Sequence, residues 1–291
     1  MTATDALLGL EPEKISAPRA SGAPEENKWW GVTKAVLLRL LTMVLGIALV
    51  LLVWQLFLEI FGIDPFIGRG PREVWDFLTT GSVGADARDQ LWTASITTLT
   101  DAGLGLFAGA SVAVLVALFF NLSPSAESTF MPAAIVLRSV PLVAMTPIIA
   151  LIFGRGLLSV TIIAGIVTFF PVLVNVSLAL RSAPKAALDL CQAYGSSPVT
   201  TLRKVQVPTA LPALFASLRI AAPLAIIGAQ LAEFLSTGKG LGYLMLQSVS
   251  LSNYNMLWSA TVLVTIYSIV IYSIIAAVEK VMLAKYSDPR G

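Results

Sequence analysis

LLSVTIIAGIVTFFPVLVNVSLAL, residues 157–180, is a run of 24 residues with no charged side chain. As an α-helix rising about 1.5 Å per residue it would extend roughly 36 Å, enough to cross about 30 Å of bilayer hydrocarbon. Working outward, five similar runs appear. Residues 41–58 are uncharged, as are 102–120, which follow a Ser/Thr-rich approach at 93–100. Residues 130–153 hold one charge, Arg138; 211–235 hold Arg219 near the start and Glu233 near the end; 258–278 complete the set. The pattern predicts an all-α integral membrane protein with about six transmembrane helices, near 41–61, 98–120, 130–153, 157–180, 211–235 and 258–280.

Composition agrees. Hydrophobic residues make up 56% of the 291-residue chain and charged residues only 12%, against about 25% charged in a soluble domain. The formal charge of +2 is the difference between 19 basic and 17 acidic residues, so no basic field exists to recruit nucleic acid. Cys191 is the one cysteine and histidine is absent. An intrachain disulfide, a histidine metal site and a Ser-His-Asp triad are therefore excluded. No catalytic residue and no metal ligand is assigned, and the chain is not expected to be an enzyme.

Residues 1–28, rich in Ala, Pro, Glu, Ser and Gly, read as a disordered cytoplasmic tail without the apolar core of a signal peptide. The membrane domain then occupies 29–286, and 287–291 form a second tail. Trp29 and Trp30 suit an interfacial belt. If the N-terminus is cytoplasmic, Lys28, Lys34, Arg39, Arg181, Lys185, Arg203, Lys204, Lys280, Lys285 and Arg290 lie inside, and Arg69, Arg72, Arg88, Arg155 and Lys239 outside. The excess of basic residues inside favours that orientation, with both termini cytoplasmic in a cell inner membrane. In the outer segment 62–90, Pro71 at a first helical turn, with Val74, Phe77 and Leu78 on one face, predicts a short helix lying along the membrane.

The inner loop, 181–212, is the other long connection. Helix-favouring residues from Ala186 to Tyr194 are followed by Gly195 as a chain break, then by Ser196, Ser197 and Pro198. That order predicts a helix, a sharp turn and a second helix over Val199–Val205, ending before Pro208. Pro212 marks the start of the fifth span.

Within this loop, Asp189–Gly195 (DLCQAYG) and Val205–Pro208 (VQVP), with the proline thirteen residues beyond the glycine, resemble the E-A-A, x3, G, x9, I-x-L-P loop of permease subunits of ATP-binding-cassette importers. Asp189 stands for the glutamate, Leu190 and Cys191 for the two alanines. Pro71, Val74, Trp75 and Leu78 are similar to the segment preceding the family's second span; Arg138, Pro141 and Pro147, followed by Phe153-Gly154, to its third; Arg219, Glu233 and Gly240-Leu-Gly242-Tyr243 to pieces around its fifth. The likeness covers roughly residues 65–280 and points to the nitrate, sulfonate, taurine and pyrimidine-precursor branch. Asp101 stands where those permeases usually have a basic residue.

The resemblance implies a type I importer permease whose inner loop is a coupling helix seated on a separate ATPase. Asp189, Leu190, Cys191, Ala193, Tyr194, Gly195, Ser196, Pro198, Val205 and Pro208 would form that surface. Arg138, Pro141, Met145, Pro147, Gln230 and Glu233 are candidates for the translocation path. The implied partners are a second permease subunit, two ATP-binding subunits, an external solute-binding protein and the bilayer. No cofactor is expected on this chain, with ATP and magnesium on the partner: Gly238-Lys-Gly-Leu-Gly242 lacks the first glycine and the Ser/Thr of a phosphate loop.

Charges within spans usually face a protein interior or an aqueous cavity. Arg138 is expected in an ion pair or on the path, Arg219 to snorkel toward the inner surface, and Glu233 on the path or as an interfacial anchor. Pro141 and Pro147 read equally as a gate-forming bend or a static kink. Gly105 and Gly109 read as close packing within the chain, and 238–242 as a flexible outer loop. A stand-alone secondary transporter or channel is the alternative.

Overall fold

The computed structural model describes residues 28–79 and 85–286, so the expected tails lie outside the described residues apart from Lys28. The chain divides into two units, residues 1–59 and 60–291. In the first, α1 (Lys28–Ile60) is one 33-residue helix. Its apolar side chains are exposed along most of the stretch from Leu41, and Leu41–Ile60 is long and apolar enough to cross a membrane.

The second unit runs through α2 (Pro71–Thr79), α3 (Ala85–Leu122), α4 (Pro124–Arg138), α5 (Leu142–Phe153), α6 (Leu157–Arg181), α7 (Lys185–Ala193), α8 (Pro198–Thr201), α9 (Val207–Ala232), α10 (Gly240–Ser250) and α11 (Tyr254–Tyr286). No strand occurs among the described residues. Four helical stretches of this unit are long and apolar enough to span: Asp86–Leu122, Leu157–Arg181, Pro198–Thr237 and Tyr254–Ala284.

α6 is the central helix, with α3 and α9 packed against it. Small residues permit the approach. A side chain at Gly105 would collide with Ala164, and one at Gly109 with Thr168 and the Gly165 carbonyl. From α9, a Cβ at Gly228 would lie 2.8 Å from Ala164 Cα. Thr168 Oγ1 donates to Gly165 O at 3.0 Å, within α6, and lies 3.4 Å from Gly105 O on α3. The Gly105–Gly109 pair thus packs inside the chain, as expected.

The run 130–153, expected as one continuous span, is two helices. α4 ends at Arg138, and Pro141 occupies the N-cap position of α5 with φ −60° and ψ 117°. Proline lacks the donor that the ladder needs and pushes the preceding residue out of helical conformation. Pro132 and Pro147 remain inside α4 and α5, so Pro141 makes the break. At 12 residues, or roughly 18 Å, α5 cannot cross a bilayer alone.

The second elbow helix also differs from expectation. It does not stop before Pro208. Helix continues from Pro198 to Thr237, through a π turn at Leu202–Gln206 that leads into α9 and a second at Glu233–Thr237. The first π turn shifts the hydrogen-bond ladder just where Pro208 removes a donor, so the chain absorbs the proline without breaking.

The helix at Pro71–Thr79 forms as expected, with Val74 buried and Phe77 and Leu78 half-buried. The preceding loop is fastened to α11: Trp258 Nε1 donates to Ile67 O at 2.9 Å, and Phe66 meets Tyr254 edge-on at 5.3 Å.

The α3–α6 seam generates a signed test. Replacing a helical glycine by alanine ordinarily gains about 1 kcal/mol, and Gly103, with nothing within 4 Å of its Cβ position, should show that gain. Gly109→Ala should instead lose about 1–3 kcal/mol through overpacking. Thermal unfolding of the detergent-solubilised protein should therefore shift in opposite directions for the two variants.

Candidate functional site

The elbow is built by local chain chemistry. At the end of α7, Ser196 N donates to Cys191 O at 2.9 Å and Gly195 N to Gln192 O at 3.0 Å, with Gly195 at φ +65°. This is a Schellman closure, and its left-handed residue is best served by glycine. Ser197 then caps α8, accepting from Thr200 N at 3.3 Å, with Pro198 at the first helical turn. Both ends of the elbow are buried, at Ala183 and Leu202. Its crest is open: Leu190 is 59% exposed, Val199 61% and Tyr194 83%. Asp189, Ala193, Gly195, Pro198 and Pro208 are also exposed, and Cys191, Ser196 and Val205 are half-buried. An apolar crest with an acidic residue beside it, held on a stiff turn, can dock a partner.

Polar contacts fix the elbow to the bundle. Arg181, at the end of α6, forms an ion pair with Glu127 in the first turn of α4. Asn121, in the last turn of α3, exchanges side-chain hydrogen bonds with Gln206; Asn121 Nδ2 donates to Gln206 Oε1 at 2.8 Å. Sequence reasoning missed both pairs, because their members lie far apart in sequence and no motif joins them.

α9 starts at the elbow and, with 26 residues, carries the chain roughly 39 Å away. At that far end stands Glu233, fully enclosed. One carboxylate oxygen accepts from Gly242 N at 2.8 Å and from Thr98 Oγ1 at 2.9 Å, and Thr98 Oγ1 in turn accepts from Leu241 N at 2.9 Å. The acid thus sits on the N-terminal turn of α10, where free N–H groups favour negative charge. The glycines are required here: a side chain at Gly240 (φ +87°) would strike the Glu233 carboxylate, and one at Gly242 the Gln230 carbonyl. Residues 238–242, expected as a flexible outer loop, are a helix cap and a helix start wrapped around an acid.

Of the other path candidates, Gln230 lies one turn before Glu233 on the same helix, and α5, which carries Met145 and Pro147, meets the π turn at Glu233–Thr237. Arg138 and Pro141 are exposed at the α4–α5 break, Pro147 is exposed on α5, and Met145 is half-buried against the middle of the core. Gln230 Nε2 reaches Met245 Sδ at 3.6 Å. Arg219, expected to snorkel, pairs with Glu279 of α11 at 3.1 Å and lies 5.6 Å from the centre of the Tyr272 ring. It is a cross-link between α9 and α11; the acid sixty residues away gave no local signal. Beside α10, a cleft of about 830 Å³ is lined by Asp86, Asp89, Thr93, Lys239, Tyr243 and Gln247 among others. No cluster of three metal-ligating side chains occurs among the described residues.

A helical membrane bundle with an exposed helix–turn–helix at one end has the form of a transport permease. Residues 103–286 match the family described as binding-protein-dependent transport system inner membrane component, and the chain belongs to it. A probable ABC transporter permease protein of Haemophilus influenzae is 30% identical over 81% of this chain and 94% of its own length. A formylaminopyrimidine transport permease protein of Halalkalibacterium halodurans is 32% identical over 50% of this chain and 58% of its own. In fold, the chain resembles a subunit of the MetNI methionine ABC transporter solved in inward-facing conformations. The TM-score is 0.55, with 21% identity over 66% of this chain and 94% of that one. The protein is a multi-pass inner-membrane permease of the ABC importer class, and the stand-alone transporter reading is set aside.

Glu233 supplies the test of the far end. Glu233→Ala leaves the Gly242 N–H and the Thr98 hydroxyl without their acceptor in the interior, costing about 1–3 kcal/mol for each group. Glu233→Gln keeps an oxygen acceptor and should lose markedly less. Unfolding midpoints in detergent check the order; equal losses would remove the acceptor role.

Proposed function

We propose that two copies of this chain pair to enclose a path for a small solute delivered by an external binding protein. In this reading each elbow seats on a separate ATP-hydrolysing subunit. The observation that carries it is the elbow: a rigid helix–turn–helix whose exposed apolar crest, Leu190, Tyr194 and Val199, has no cover within the described chain. ATP and magnesium belong to the partner; this chain supplies the docking surface and the walls. The basic residues flanking the crest, Arg181, Lys185, Arg203 and Lys204, support a cytoplasmic elbow and cytoplasmic termini.

In the mechanism, closure of the ATPase pair drives the two elbows together and re-orients the helices as stiff bodies, opening the path alternately to either side. Arg138, Pro141, Met145 and Pro147 at the broken third span, with Gln230 near the far end, are the residues proposed to flank that path. Glu233 contributes by holding α10 against α3 and α9.

A pyrimidine-like heterocycle suits the chain better than a nitrate- or sulfonate-like anion. Asp101 replaces a basic residue on α3, and the cleft near α10 carries Asp86 and Asp89 against the single cation Lys239. An anion there would meet net repulsion.

Co-purification tests the reading. The tagged chain should bring an ATPase with it from its own membrane. Gly195→Val should abolish that association, because a β-branched residue at φ +65° is strained by about 1–3 kcal/mol. Gly195→Asn, which tolerates the left-handed region, should retain most of it. Recovery of no ATPase with the unaltered chain would overturn the proposal.

A further inference from the structure

We propose that the corner between α3 and α4, Asn121 to Glu127, is the point through which the elbow acts on the broken third span. Glu127, Arg181, Asn121 and Gln206 serve as positioning residues for transport. The inference rests on the proposed docking of an ATPase at the elbow, and adds which residues receive the displacement and where they send it.

The elbow leaves the bundle at Arg181 and rejoins it at Gln206, and each of these residues is held by the same short corner. Arg181 pairs with Glu127, whose side chain is 11% exposed, and Gln206 exchanges hydrogen bonds with Asn121. Only six positions separate the two receiving residues. The corner between them is tight: Ser123 N donates to Phe119 O at 3.0 Å, and Glu127 N to Ser123 O at 3.1 Å. Beneath it, Phe120, Leu180 and Leu202 are buried in one cluster, so the last turns of α3 and α6 and the returning elbow share a core. A segment gripped at both ends on one small area cannot swing independently of that area.

α4 starts at this corner, and its other end is the break at residues 139–141. The α3–α6 seam is locked by close contacts at Gly105, Gly109 and Gly165. The α4–α5 junction has no such lock, and Arg138, Ser139, Val140 and Pro141 are all exposed. A displacement entering at Glu127 therefore meets its least resistance by tilting α4 about Pro141, which is where the path candidates begin. The Glu127–Arg181 pair suits this role because a partly buried ion pair depends strongly on both partners being present.

The experiment uses the permease assembled with its ATPase in proteoliposomes, measuring solute imported and ATP hydrolysed in the same preparation. Arg181→Glu and Glu127→Arg should each keep normal ATPase recovery and hydrolysis. Import per ATP should fall by about fivefold or more, the lower end of ordinary inter-site coupling. The double exchange, Arg181→Glu with Glu127→Arg, should restore import per ATP. Asn121→Ala should lower the same ratio. Unchanged ratios in the single variants, or a joint fall in import and hydrolysis that the exchange does not rescue, would overturn the proposal.

Hydrogen exchange on the permease alone gives an arm independent of the ATPase. Glu127→Gln should accelerate amide exchange across residues 182–206 while leaving the centre of α6 protected. Unchanged exchange there overturns the clamp whether or not an ATPase is recovered. Accelerated exchange with no ATPase recovered upholds the clamp and sinks the function proposed above.

Discussion

The close approach of α3 and α9 to α6 at Ala164 and Gly165 is the constraint on which the arrangement of the second unit depends. Helices in lipid gain little from the hydrophobic effect when they associate, since the tails are as apolar as their side chains; association relies on dispersion contacts and a few polar bonds. Those contacts need backbones to come near. Gly105, Gly109 and Gly228 on the neighbours, and Ala164 and Gly165 on α6, remove the side chains that would hold the helices apart. Thr168 adds a polar touch between α6 and the Gly105 carbonyl. With the three axes fixed there, the elbow and the Glu233 cap fall at opposite ends of α9.

The two ends are stabilised differently because they face different demands. At the far end, a buried acid collects two donors from separate elements, so α3, the second π turn and α10 are held at one atom. Both bonds fall on Oε2, while Oε1 is buried without a hydrogen-bond partner, so the acid is satisfied on one side only. At the elbow end, the bonds are spread over paired side chains near the surface, Arg181 with Glu127 and Asn121 with Gln206. Each is individually modest.

How much of this was legible in the sequence follows from how far each cause reaches. Charge-free runs, the Gly195 turn and the amphipathic Pro71–Thr79 helix are caused within a dozen residues, and they could be read directly. The break at Pro141 was harder, since Pro132 and Pro147 lie in the same run and stay helical. Hydropathy cannot rank three prolines whose fates depend on what replaces the lost donor. The continuation through Pro208 fails for the same reason: a π turn upstream accommodates it. Glu233 could be flagged as an unusual charge, but its partners Thr98, Leu241 and Gly242 come from segments that only the fold brings together. Arg219 has its answer in Glu279, on another span altogether.

These differences bear on where motion can occur. A bundle locked at small-residue seams is stiff there, since packed interiors resist gradual deformation and shift between discrete arrangements. The helical ladder is irregular at the proline break between α4 and α5, at the π turns flanking α9, and at the prolines inside α6 and α9, Pro171, Pro212 and Pro223. The first π turn adjoins the elbow and the second holds Glu233, while Pro212 and Pro223 each remove a ladder donor inside α9 itself.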